Sequence, residues 1–114
     1  MRVIARSTLS RFVATLAGRK DKAAVKAALD AWFYEVEHAN WRSPADVKES
    51  YASASVIDAN RVVFNIKGNS YRLVAAIDYS RRAVFVKWLG LHKEYDKIDV
   101  KTVQYGDQAY QKRS

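Results

Sequence analysis

From position 61 onward the chain keeps a two-residue period. Val62, Phe64 and Ile66 alternate with Val63, Asn65 and Lys67, the spacing of a strand with one face buried. Gly68 and Asn69 supply turn residues, a second strand follows over 71–77, and a turn over 79–82 leads to a third over 83–89. Strands joined by short turns predict an antiparallel meander.

The first sixty positions follow a helical rhythm instead. After a short strand over 2–5, Leu9, Phe12, Val13 and Leu16 recur at helical spacing, with Ser7 as the expected cap and Gly18 as the stop. Asp21 opens a second helix that places Val25, Leu29, Trp32, Phe33 and Val36 on one stripe. A third, short helix is predicted where Ser43 caps, Pro44 takes the first helical position and Asp46 completes a capping box. Residues 50–60 are small and polar and read as a crossing from the helices to the sheet. Helices first and strands afterwards argue for an α+β fold, helices packed on one sheet face. Residues 1–99 read as a single domain, with 100–114 a C-terminal tail or last strand.

Composition narrows the class. A chain of 114 residues, 49% hydrophobic, buries one core. It has no cysteine, which excludes disulfides and thiolate metal sites. Arg11 interrupts the apolar positions of the basic N-terminal segment, so it does not read as a signal peptide. No stretch approaches the roughly 20 apolar residues of a membrane span. A soluble, cytoplasmic protein is the expectation.

Net charge is +8 and unevenly placed. Residues 1–60 carry nine Lys or Arg against seven Asp or Glu, and residues 61–114 carry eleven against five. The excess on the strand-rich half favours a polyanionic partner such as nucleic acid.

Candidate chemistry concentrates in the same half. Asn65 and Lys67 share a strand face, and Arg72 rejoins it across the turn, giving either a fixed cationic floor or ordinary solvent-facing charges. Beyond Gly90, His92 and Tyr95 stand three apart, a spacing that puts both on one side of a helical turn. His38, far from His92 in sequence, gives no metal-ligand pattern, and neither G-x-S-x-G nor G-x-x-x-x-G-K-[ST] occurs. Trp88, Tyr71, Tyr79 and Phe85 read as core aromatics, as do Trp32, Phe33 and Trp41; Tyr95 is kept for the site.

Several separated blocks carry a family likeness: MRVIARSTL at 1–9, ANWRSPADVK at 39–48, VFNIKGN at 63–69 with YRLV at 71–74, and HKEYD at 92–96. In these the chain resembles a HigB-type toxin of the RelE superfamily, the ribosome-associated messenger RNA endonucleases of type II toxin-antitoxin systems. The resemblance implies two N-terminal helices packed on a curved antiparallel sheet. It also implies a metal-free and cofactor-free cleavage, in which the RNA 2′-hydroxyl attacks the adjacent phosphorus to leave a 2′,3′-cyclic phosphate.

Carried over by motif, Arg72 of the Tyr-Arg-Leu-Val strand holds a phosphate oxygen and Lys67 neutralises transition-state charge. His92 of the Gly-x-His motif acts as acid or base, and Tyr95 assists proton transfer or stacks on a base. Asn65, Asn69 and Lys93 are the RNA-binding candidates, with Asn69 alternatively serving the turn. Leu91 stands where many relatives have Thr, so a hydroxyl contribution is absent there. The implied partners are mRNA on the ribosome and a cognate HigA-type helix-turn-helix antitoxin, forming a toxin–antitoxin hetero-oligomer. The alternative is a non-catalytic basic module that binds RNA or the ribosome. A DNA-binding regulator is disfavoured, because no basic recognition helix is apparent.

Overall fold

The computed structural model describes residues 1–104. Its elements run β1 (Arg2–Ile4), α1 (Arg6–Ala14), α2 (Lys22–His38), α3 (Pro44–Ser50), β2 (Ser55–Val56), β3 (Arg61–Ile66), β4 (Tyr71–Asp78), β5 (Ala83–Leu91) and α4 (His92–Tyr95). Five strands form one sheet in the order β1-β5-β4-β3-β2. The predicted meander is β3-β4-β5, antiparallel throughout. The sheet as a whole is mixed rather than antiparallel, because β1 pairs parallel with β5. The crossing segment over 50–60 also yields a strand the polar composition did not signal, the two-residue β2 antiparallel to β3.

α2 buries Val25, Leu29, Trp32 and Val36 against the sheet, as its stripe dictates. They meet Val62, Phe64 and Ile66 of β3 and Leu73, Ala75 and Ile77 of β4 in the main core. Trp41 stacks on Phe64 with ring centroids 6.1 Å apart, and Tyr51 packs edge-on to the same ring at 5.2 Å. α3 is thereby held against the sheet by aromatic contact.

The caps differ from expectation. Ala5, not Ser7, occupies the N-cap of α1, and no side chain caps it. α1 ends at Ala14, and the turn after it carries Leu16 into the core before Gly18. Ser43 and Pro44 begin α3 as read, but Asp46 Oδ2 accepts the Arg42 N–H at 2.8 Å instead of closing a box on Ser43. Asp21 stands at the N-cap of α2 with its carboxylate turned away. Oδ1 accepts from Arg19 Nε at 3.0 Å, and Oδ2 accepts from the Tyr71 hydroxyl at 2.8 Å. The Arg19 hydrogen bond, followed by that of Tyr71, holds the Asp21 carboxyl below the usual carboxylate range. This joins the α1–α2 loop to the first residue of β4.

The sheet face away from the helices has its own smaller cluster. Val63, Val74, Trp88 and Val103 are buried there, with Tyr95, Ile98 and Val100 packed against them. Arg61 lies buried beside this cluster and donates from Nη1 to the Val100 and Val103 carbonyls at 3.1 and 2.7 Å. Two charge-assisted hydrogen bonds thus fasten the segment after α4 to β3. Residues 100–104 make a turn and no strand; the rest of the tail reading, 105–114, lies outside the described residues.

Candidate active site

The β3–β4 hairpin turn and the start of α4 meet at one end of the outer sheet face. β3 stops at Ile66, which pairs with Tyr71, so residues 67–70 form the turn. Lys67 is therefore a turn residue, not the strand residue expected on the face of Asn65. Its φ of 52° and that of Gly68 at 61° are left-handed backbone conformations suited to a tight hairpin turn, and at Gly68 they carry no steric cost. The Lys67 ammonium stands exposed at the tip.

Asn65 and Arg72 share the outer face, as the period implied, and the structure makes them register partners. The Arg72 guanidinium is held in place: Nη2 donates to Asn69 Oδ1 at 2.9 Å, and Nη1 to the Asn69 carbonyl at 3.2 Å. A fork with its orientation already fixed loses less entropy on meeting an anion. Of the two readings for Asn69, this contact supports the turn-side one, since its amide oxygen is occupied by Arg72.

The His92 amide donates to the Ser70 carbonyl at 2.9 Å, which fixes the first residue of α4 beside the hairpin turn. His92 and Lys93 are exposed, and neither side chain has a partner among the described residues. Tyr95, one turn on, is half-buried with its ring 6.3 Å from that of Trp88. Burial raises the Tyr95 phenol above its ordinary value and outweighs the opposing pull of the nearby Arg72 charge. Raised from its ordinary value, the phenol keeps its proton through the neutral range.

Two residues beneath this group escaped the sequence reading. Trp88, read only as core, is the shelf under Tyr95. Gly90 is the register partner of Arg72, and the Trp88 ring crosses over it so closely that a β-carbon there would sit 2.6 Å from the ring. Gly90→Ala is expected to push the indole off its shelf and lower unfolding stability by about 1–3 kcal/mol, the usual cost of overpacking. Urea denaturation checks the loss, and a decline in Trp88–Tyr95 contact shifts in NMR spectra locates it.

Among the described residues, no three His, Asp or Glu side chains gather as metal donors do. The site offers a fixed guanidinium, two free ammonium groups, an imidazole and a protonated phenol. That set can hold a phosphodiester and move protons around it.

An α+β domain with this order of elements is consistent with the RelE-like class of toxins. A family model described as HigB_toxin, RelE-like toxic component of a toxin-antitoxin system, matches residues 25–98. The chain belongs to this family. The match runs from α2 through α4 and takes in the hairpin, Arg72, His92 and Tyr95. No curated protein matches the chain. No helix among the described residues is long and apolar enough to cross a membrane.

Proposed function

We propose that this toxin stops translation by cutting messenger RNA on the ribosome. The observation that carries the reading is the juxtaposition of Arg72, the Lys67–Asn69 turn and His92, tied together by the Ser70–His92 backbone hydrogen bond. The 2′-hydroxyl oxygen forms a bond to phosphorus while its proton passes to the base. The bond from phosphorus to the 5′ oxygen breaks, and that oxygen takes up a proton, leaving a 2′,3′-cyclic phosphate and a 5′-hydroxyl.

Arg72 grips the non-bridging oxygens through parallel hydrogen bonds, and Lys67 and Lys93 add charge as the pentavalent phosphorus forms. With Tyr95 held protonated, the base role falls to His92 and the phenol donates or stacks. Asn65 orients the RNA beside Arg72.

The acid–base set is small, so the ribosome supplies orientation by holding the message in place. A cognate antitoxin of the HigA helix-turn-helix kind restrains the toxin in the cytoplasm as a hetero-oligomer. Purified toxin is expected to cleave a translated message about 100-fold faster than the same naked message, a gain within reach of positioning alone. Primer extension on both samples measures it; equal rates would contradict ribosome dependence.

A further inference from the structure

The site's end of the molecule carries cations that the chemistry above does not use. The α1–α2 loop and the start of α2 hold Lys20, exposed, and Lys22, partly exposed. Neither side chain has a partner among the described residues. The acid between them, Asp21, is already bound by Arg19 and by the Tyr71 hydroxyl. At the opposite end of the sheet the pattern differs. Arg81 faces Asp78 at 3.7 Å, and Arg82 is hydrogen-bonded to Asn40.

The fold fixes where this loop lies relative to the site. Tyr71 points to the helix side and reaches Asp21, while the next residue, Arg72, points to the outer side. Phe12 of α1 packs edge-on to Tyr71 with centroids 5.9 Å apart, which keeps α1 and its loop against the hairpin. The hairpin tip, with the exposed Lys67, lies between the two sides. No side chain caps the first turn of α2, so the positive end of its dipole adds to the charge of Lys20 and Lys22 beside it.

We infer that an RNA strand lying in the Arg72–His92 site continues over the hairpin tip, and that Lys20 and Lys22 bind its backbone phosphates on the far side. The path runs from Arg72 past Lys67 to the α1–α2 loop. Contacts of this kind hold phosphates without reading bases, so they lengthen the binding site and leave the cleavage preference untouched. The identity of the bound strand rests on the endonuclease reading; the affinity of the loop for RNA backbone does not.

The test uses the full chain and 2′-O-methyl RNA, which lacks the attacking hydroxyl and stays intact. Two single strands of about 4 and about 12 nucleotides bracket the ordinary range of single-strand sites. Fluorescence anisotropy across a salt series compares wild type, a Lys20→Ala/Lys22→Ala double variant, and an Arg81→Ala/Arg82→Ala double variant at the opposite end. Wild type is expected to bind the longer strand more tightly. The Lys20/Lys22 variant is expected to lose that gain and to show a log–log salt slope smaller by about 1.4, two phosphate contacts at roughly 0.7 each. Its affinity for the short strand stays at the wild-type value, and the opposite-end variant behaves as wild type.

Equal slopes for wild type and the Lys20/Lys22 variant on the longer strand would overturn the inference, as would an equal loss in the opposite-end variant. Cleavage of translated message by wild type, assayed alongside, separates the two claims. Cutting with no Lys20/Lys22 effect on binding leaves the nuclease standing without this path. The slope change without any cutting leaves the path standing without the nuclease.

Discussion

Arg72→Ala is expected to reduce message cleavage on the ribosome by about 100- to 1,000-fold, the range seen when one fixed transition-state donor is removed. The guanidinium sits on β4, the central strand of the sheet, and its orientation is set by Asn69 from the adjoining turn. Its side chain is only half-buried and contributes nothing to the main core, so the folded domain survives its loss. Arg72→Lys keeps a charge but loses the two-pronged geometry and is expected to recover only part of the rate. Single-turnover cleavage on programmed ribosomes, with circular dichroism to confirm folding, measures both variants. A rate within a few-fold of wild type for Arg72→Ala would remove Arg72 from the site.

His92→Ala is expected to lose between about 100- and 10,000-fold in cleavage while binding ribosomes nearly as wild type does, because general acid–base groups act on the barrier more than on affinity. The imidazole is exposed at the first residue of α4, and the tether to Ser70 uses its backbone amide, which alanine retains. The substitution therefore removes chemistry without releasing the helix. A module that only binds RNA would show the opposite pattern, a small loss of affinity and unchanged growth arrest. Comparing dissociation constants for ribosomes with cleavage rates distinguishes the two.

The period of the strands and the stripe of α2 were legible in the sequence because each is written by repeated apolar residues facing one core. Arg72 on the outer face followed from the same alternation, whereas its register pairing with Asn65 was fixed by the turn. The placement of Trp88 did not follow. Simple alternation in β5 puts Trp88 on the same face as Val84 and Val86, but a bulge at Lys87 reverses the phase, so Leu89 enters the main core and Trp88 the outer cluster. A single inserted residue is invisible until the partner strand fixes the register.

The same limit applies to β1 and to the site's assembly. Three residues of β1 carry too little pattern to reveal a partner, and the parallel pairing with β5 is a long-range choice. The β3 boundary fell one residue earlier than read, since Lys67 adopts a turn conformation that its neighbour Gly68 makes easy. Spacing put His92 and Tyr95 on one helical turn, but their approach to the hairpin depends on a backbone hydrogen bond to Ser70 that no side-chain pattern encodes. The raised phenol of Tyr95 likewise reflects burial beside Trp88, a property of packing.

The most direct test of the central claim is induction of the wild type and of Arg72→Ala in a bacterial host, with message 5′ ends mapped within minutes. The endonuclease account predicts growth arrest and new 5′-hydroxyl ends within translated reading frames for wild type alone. Soluble wild-type protein that arrests no growth and produces no new ends, or Arg72→Ala producing the same ends as wild type, would contradict it.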